Sequence, residues 1–273
     1  MTATIDLAGH IERSYTREVR TYQGMSGAGD CIRTAWFRKN HPELEAKPDA
    51  AGIVTLEDGH LHEGDVVKIL WQTVVIDLLH TGVNSWHGVD RKPEEQFQII
   101  GDGELRGHID GLVKVDGKWH ILECKAKGTN SWARLAKAGS VREGAWQNYC
   151  QAQLYLHFRQ SLADELGITI EPTLLYIAKN KDPQRDPAKR VGNGVYYEEW
   201  IELNPSDVNL ILAFEKSKAM AMDDANPPAP IYLDGQYIRY HEPTRADERG
   251  GKDALCRAIY CGMRDACLNW RPA

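Results

Sequence analysis

The dipeptide Asp116-Gly117, set between two apolar-rich runs, is the strongest constraint on how this chain folds. Asp-Gly favours a two-residue hairpin loop, because the central positions of such a loop need positive φ. With Val115 paired to Lys118 across the turn, counting outward places Asp110 directly opposite Glu123. Side chains opposed in an antiparallel pair share a face, roughly 5 Å apart at Cβ. Lys125 is two residues past Glu123 and joins that face, whereas Cys124 points the other way. Two carboxylates opposed on a sheet repel one another. A divalent cation between them, with a lysine beside it, resolves the conflict, and this is the layout of a metal-dependent phosphodiesterase site.

Charged residues on strands are ordinarily no more than the solvated face of an antiparallel sheet. Here Ile109, Leu112, Val113, Ile121 and Leu122 make both strands too apolar for a simple surface hairpin. A chain of 273 residues can bury a substantial core as one large domain, or as a domain with an appendage. No apolar run approaches the roughly 20 residues of a membrane span. The first residues, with Asp6, His10, Glu12 and Arg13, have no apolar core of a signal peptide. The expectation is therefore a cytoplasmic protein whose six cysteines stay reduced or bind metal. A net charge of −6 argues against indiscriminate coating of DNA but says little about a local groove.

The pattern along the chain predicts an α/β protein with a mixed central sheet flanked by helices. Residues 58–80 read as a helix, with Asp58 as cap and His62, Val66, Leu70, Val74 and Leu78 on one stripe. The hairpin strands follow at 105–125. Ser140-Val141-Arg142-Glu143 is a capping box that opens a second long helix, which Gly167 closes. Strands are expected at 171–179 and 193–203. Asn204-Pro205 starts a third helix that runs to about 222, with Asn204 as cap. Asp223 to Pro230 holds three prolines and reads as a linker or ordered loop.

Asp110 followed by Glu123-Cys124-Lys125 resembles the PD-(D/E)XK nuclease signature, with strand, turn and strand in the expected order. Gly59-His60-Leu61-His62-Glu63 is similar to the helix of RecB-like members whose histidine completes the metal site, and only His62 lies on the inward stripe. Gln151 and Tyr155, one helical turn apart, resemble the QxxxY motif of the same branch, which implies contact with substrate. One early cysteine, Cys31, and three late ones, Cys256, Cys261 and Cys267, resemble the iron–sulfur staple of the AddB-type and "Cas-four"-type exonucleases. Four residues separate Cys256 from Cys261, where those families usually have two, so a four-cysteine zinc site stands as the rival. Cys124 and Cys150 read as small buried residues.

The resemblance spans residues 31–267 and implies a single restriction-endonuclease-like domain over 1–273, its two ends joined by the cysteine-ligated cluster. It further implies a DNA exonuclease of recombination, repair or end processing, acting on single strands or duplex ends with or without a protein partner. Asp110, Glu123, His62 and the Cys124 carbonyl would hold Mg²⁺ or Mn²⁺, and Lys125 would orient the attacking water. The run Lys179, Lys181, Arg185, Lys189 and Arg190 is a candidate for phosphate contact. Two other readings remain open. One is a catalytically weak nuclease-fold subunit that binds DNA or assembles with a partner. The other is a zinc-stapled DNA-binding protein without catalysis.

Overall fold

The structure is a computed structural model, and it describes residues 7–15, 23–45, 47–72, 77–79, 97–103, 105–183 and 194–227. In chain order the elements begin with α1 (Leu7–Ser14), β1 (Gln23–Gly24), α2 (Ile32–Asn40), α3 (Ala50–Gln72) and β2 (Asp77–Leu79). They continue with β3 (Gln98–Ile100), β4 (Leu105–His108), β5 (Gly111–Val115) and β6 (Lys118–Lys127). Next come α4 (Thr129–Ala138), α5 (Val141–Gly144), α6 (Trp146–Phe158) and α7 (Gln160–Leu166). The last are β7 (Ile170–Asn180), β8 (Tyr196–Glu202) and α8 (Pro205–Met222). No helix among the described residues is long and apolar enough to cross a membrane.

Two compact units emerge. The first gathers the described residues within Met1–Tyr15, Gly29–Ile53 and Leu210–Ala273. Its core holds Trp36 and Phe37, whose rings meet edge to face at 5.1 Å. The Trp36 indole N–H donates to the Asp224 carbonyl at 2.8 Å, and the Gly29 N–H donates to Glu215 Oε1 at 2.9 Å. Glu215 is itself ion-paired with the buried Lys218, so the carboxylate is both paired and hydrogen-bonded, as burial requires.

The second unit comprises the described residues within Thr16–Ala28 and Val54–Asn209 and holds both sheets. One sheet has the order β1-β4-β3 and the other β2-β5-β6-β7-β8, and each mixes parallel and antiparallel pairs. Strand β6 is central, with β5 antiparallel on one side and β7 parallel on the other. Its two faces do different work. Leu122 and Cys124 join Val66 of α3, Val113, Leu175 and Ile177 in one apolar cluster. Helix α6 is buried almost all round, from Tyr149 through Leu156, which is the pattern of a helix enclosed between layers. Its side chains reach both sheets: Tyr155 bonds the last residue of β4, and Gln153 bonds the carbonyl of Glu202 at the end of β8.

The hairpin register agrees with the sequence. Val115 pairs with Lys118 and Gly111 with Leu122, and the turn residues Asp116 (φ 51) and Gly117 (φ 78) are both left-handed. The strand expected to run unbroken from 105 instead breaks at Ile109-Asp110. There β4 belongs to the three-stranded sheet and β5 to the five-stranded one. The break has a local cause. The Asp110 carboxylate accepts the Cys124 N–H at 2.7 Å, where a backbone carbonyl would have continued the ladder, and the Ile109 N–H turns to Phe97 O at 3.1 Å.

The first long helix is α3, and it starts at Ala50 instead of residue 58. Asp49 is the cap: its carboxylate accepts from Gly52 N at 2.8 Å and its carbonyl from Ile53 N at 2.9 Å. Leu78, assigned to the helical stripe from its spacing, is in strand β2 opposite Val113, and Val74 lies outside the described residues. The Ser140 cap opens only α5, with Glu143 N donating to Ser140 Oγ at 3.3 Å, and the expected single helix is three pieces. Gly167 (φ 65) does close the last of them. Helix α4 goes unseen in the sequence because Gly128-Thr129-Asn130-Ser131 reads as a loop. Strands β7 and β8 and helix α8 fall where expected, and Asn204 Oδ1 accepts from Ser206 N and Asp207 N at 3.1 and 3.2 Å.

Candidate active site

Alternation along β6 puts Glu123, Lys125 and Lys127 on one face and Leu122 and Cys124 on the other. Glu123 is 1% exposed and ion-paired with Lys125, whose side chain is 23% exposed. The Lys125 ammonium also donates to the Cys124 carbonyl at 3.2 Å. Asp110 reaches the same point from the β4–β5 break, since the N–H it accepts belongs to the residue between Glu123 and Lys125. Two carboxylates, one carbonyl and an ammonium therefore meet within three consecutive residues of β6.

Helix α6 lies over this face. Tyr155 OH donates to the His108 carbonyl at 2.7 Å and accepts from Gln151 Nε2 at 2.6 Å. Burial, followed by the nearby Glu123 charge, pushes the Tyr155 phenol well above its ordinary pKa, so it stays a neutral donor. Gln151 and Tyr155 are 4% and 1% exposed, and the phenol is committed to the backbone two residues before Asp110. The pair expected to touch substrate thus braces the segment that presents Asp110.

Glycine is required beside this brace. A Cβ on Gly107 would stand 2.3 Å from the Tyr155 ring and 2.8 Å from Met25 Sδ.

Three neighbours of the site escaped the sequence reading. Lys127 donates to Asn148 Oδ1 on α6, and Tyr176 OH reaches the same oxygen at 3.4 Å. Lys127 could have been found from its two-residue step beyond Lys125, and Asn148 from its three-residue step before Gln151. Further along α6, Asp207 takes Arg142 at 2.9 and 3.1 Å and Tyr149 OH at 2.8 Å. The hydrogen bond from Arg142 is the main cause that holds the Asp207 carboxyl below its ordinary pKa.

His62 is placed elsewhere. Helix α3 packs through Val66 on the Leu122–Cys124 face of the sheet, opposite to Glu123, and His62 Nε2 lies 3.4 Å from Asp58. No three His, Cys, Asp or Glu side chains among the described residues come together as a set able to hold a metal ion. His62 is therefore not gathered with Asp110 and Glu123, because the stripe that carries it faces the other side of the sheet. Lys179 and Lys181 are likewise occupied, by Asp65 and by Asp58 with the Thr55 carbonyl, while Arg185, Lys189 and Arg190 lie outside the described residues. Cys31 is a partly exposed thiol just before α2, and its expected partners Cys256, Cys261 and Cys267 lie outside the described residues. Cys124 and Cys150 are fully buried.

No known protein family and no curated protein matches the chain. Among solved structures it is similar to the crystal structure of SSO0001, at 13% identity and a TM-score of 0.42, covering 78% of this chain and 81% of that one. It is also similar to an alkaline exonuclease (LHK-Exo) from Laribacter hongkongensis, at 12% identity and a TM-score of 0.40, covering 72% and 89%. The complex of that exonuclease with dAMP gives 12% identity and a TM-score of 0.41, covering 74% and 88%. Superpositions this loose leave the functional reading to the side chains themselves.

Proposed function

We propose that this chain is a metal-dependent deoxyribonuclease of PD-(D/E)XK type, an exonuclease in preference to an endonuclease. The observation that carries the reading is the Asp110 carboxylate seated on the Cys124 N–H, between Glu123 and Lys125. A sheet that brings a second carboxylate to a buried one needs a cation there. The donor set fits a hard divalent ion: two carboxylates and the Cys124 carbonyl, all oxygen. The Lys125 ammonium on Glu123 and on Cys124 O supports the fit, since those oxygens already surround a positive charge. His62, on the other face, is left out of the proposed set.

Asp110, Glu123 and the Cys124 carbonyl would hold Mg²⁺ or Mn²⁺, which supplies Lewis acidity to the scissile phosphate when bound. Lys125 would orient a water for attack on phosphorus and offset charge that develops on the phosphoryl oxygens. Attack forms one P–O bond, breaks the bond to the leaving ester oxygen, and transfers the water's proton to that oxygen through solvent. Gln151 and Tyr155 act as positioning residues: Gln151 holds the Tyr155 hydroxyl, and that hydroxyl's bond to the His108 carbonyl fixes where Asp110 projects. Cys31 with Cys256, Cys261 and Cys267 is the proposed ligand set of an iron–sulfur or zinc staple.

The test is incubation of the purified chain with end-labelled single- and double-stranded DNA, with and without Mg²⁺ or Mn²⁺. Shortening of the label only with metal is expected. DNA binding without cleavage in either metal would replace the reading by that of a nuclease-fold binding subunit.

A further inference from the structure

The face of β6 that carries Glu123 and Lys125 has a third member, Lys127, one further step of about 6.6 Å along the strand. Successive phosphates of a nucleic-acid strand are separated by a comparable distance. The Lys127 ammonium is half-buried and held by the neutral Asn148 amide oxygen, which Tyr176 also approaches from β7. Burial first, then Lys125 and Arg134, push the Lys127 amine down to about 7, with Glu123 the weaker opposing influence. A lysine whose charge is disfavoured by other cations gains from an incoming anion, because the anion supplies the missing counter-charge.

We propose that Lys127, aimed by Asn148, binds a phosphate oxygen of the substrate strand at the position next to the phosphate being cut. The proposal rests on the nuclease reading and deepens it: Lys125 serves the reacting phosphate and Lys127 its neighbour, so the two lysines set the register of the strand across Glu123. The neighbouring phosphate is either an internal linkage or a terminal phosphate, and both present the same oxyanion to the ammonium.

The experiment compares the full chain with Lys127→Gln and Lys127→Arg, measuring cleavage and, without metal, equilibrium binding to labelled DNA over a range of salt. Lys127→Gln should raise KM about tenfold, the scale of one charge-assisted hydrogen bond, with the loss falling on KM and not on kcat. Its slope of log affinity against log salt should be shallower by about 0.7 on single strands, and Lys127→Arg should keep the parent slope. A purely structural lysine would move stability and leave the salt slope alone. A neutral methylphosphonate at the neighbouring linkage, or a 5′-hydroxyl end in place of a 5′-phosphate, distinguishes the two sources. One of these should weaken the parent protein and have no further effect on Lys127→Gln. Equal losses for parent and Lys127→Gln in both arms, or an unchanged salt slope, would overturn the proposal. Absence of cleavage by the parent protein sinks the nuclease reading alone, because the binding arm still decides the fate of Lys127.

Discussion

Gly107→Ala tests whether the brace between β4 and α6 holds the candidate site. The added Cβ would stand 2.3 Å from Tyr155 Cε1, 3.1 Å from Tyr155 Cδ1 and 2.8 Å from Met25 Sδ. Carbon atoms in a packed interior meet at about 3.5–4.0 Å, so the ring must retreat by more than about 1 Å. Tyr155 is fully buried and has no solvent to retreat into, and its hydroxyl is fixed by Gln151 and His108. Overpacking of this kind costs about 1–3 kcal/mol, and loss of the bond to His108 O adds about 1 kcal/mol. The sum is about 2–4 kcal/mol, read as a shift of the urea midpoint at constant slope. DNA cleavage should fall in the same variant, because the His108 carbonyl lies two residues from Asp110. Tyr155→Phe alone should cost less, and its effect should not add to that of Gly107→Ala, since both act on one contact. A Gly107→Ala protein within about 0.5 kcal/mol of the parent would refute the reasoning, because no surface-type substitution effect could then hide a clash of this depth.

Glu123→Gln keeps the buried shape and removes the charge, so circular dichroism should be unchanged while metal-dependent cleavage disappears; parent-like cleavage would remove the site assignment. Asp207→Asn should cost about 1 kcal/mol at neutral pH, because it weakens a charge-assisted pair whose Arg142 end is half-exposed and screened by solvent. The pH sign follows from the lowered carboxyl: its contribution is complete above its ordinary value of 3.8 and is lost as pH falls below that, so Asp207→Asn should flatten the acid limb of a stability-against-pH curve. Metal analysis of anaerobically purified protein should find iron and acid-labile sulfide that Cys31→Ser lacks, whereas one zinc and no iron would make the staple a zinc site.

The sequence made the hairpin legible because its determinants are local: a turn dipeptide that needs positive φ twice, and strands whose alternation sorts Glu123 from Cys124. Helix α8 was legible for the same reason, with its cap and first-position proline adjacent. The start of α3 was not, since Asp49 and Asp58 are both acceptable caps and only tertiary packing chooses between them. Nor was the side on which His62 lies legible, because a stripe reveals that a helix has an inward side but not which face of a sheet it meets. The Asp110 break needed knowledge that a side chain would replace a backbone acceptor. That exchange is invisible to periodicity, which counts apolar positions and not hydrogen bonds.

Loop tips are ordinarily where a chain accepts inserted residues without harm. In this protein the two-residue tip at Asp116-Gly117 governs geometry about 20 Å away, six residues down β5 at the Asp110 end. Were an insertion there to slide β5 by a single residue, Asp110 would turn to the opposite side of the sheet while Glu123 stayed in place. The buried Leu112 and Val113 would exchange faces in the same step, and the site would lose one of its two carboxylates. Length at this one turn is thus a chemical parameter of the molecule, and variation in it should be far rarer than its exposed position alone would allow.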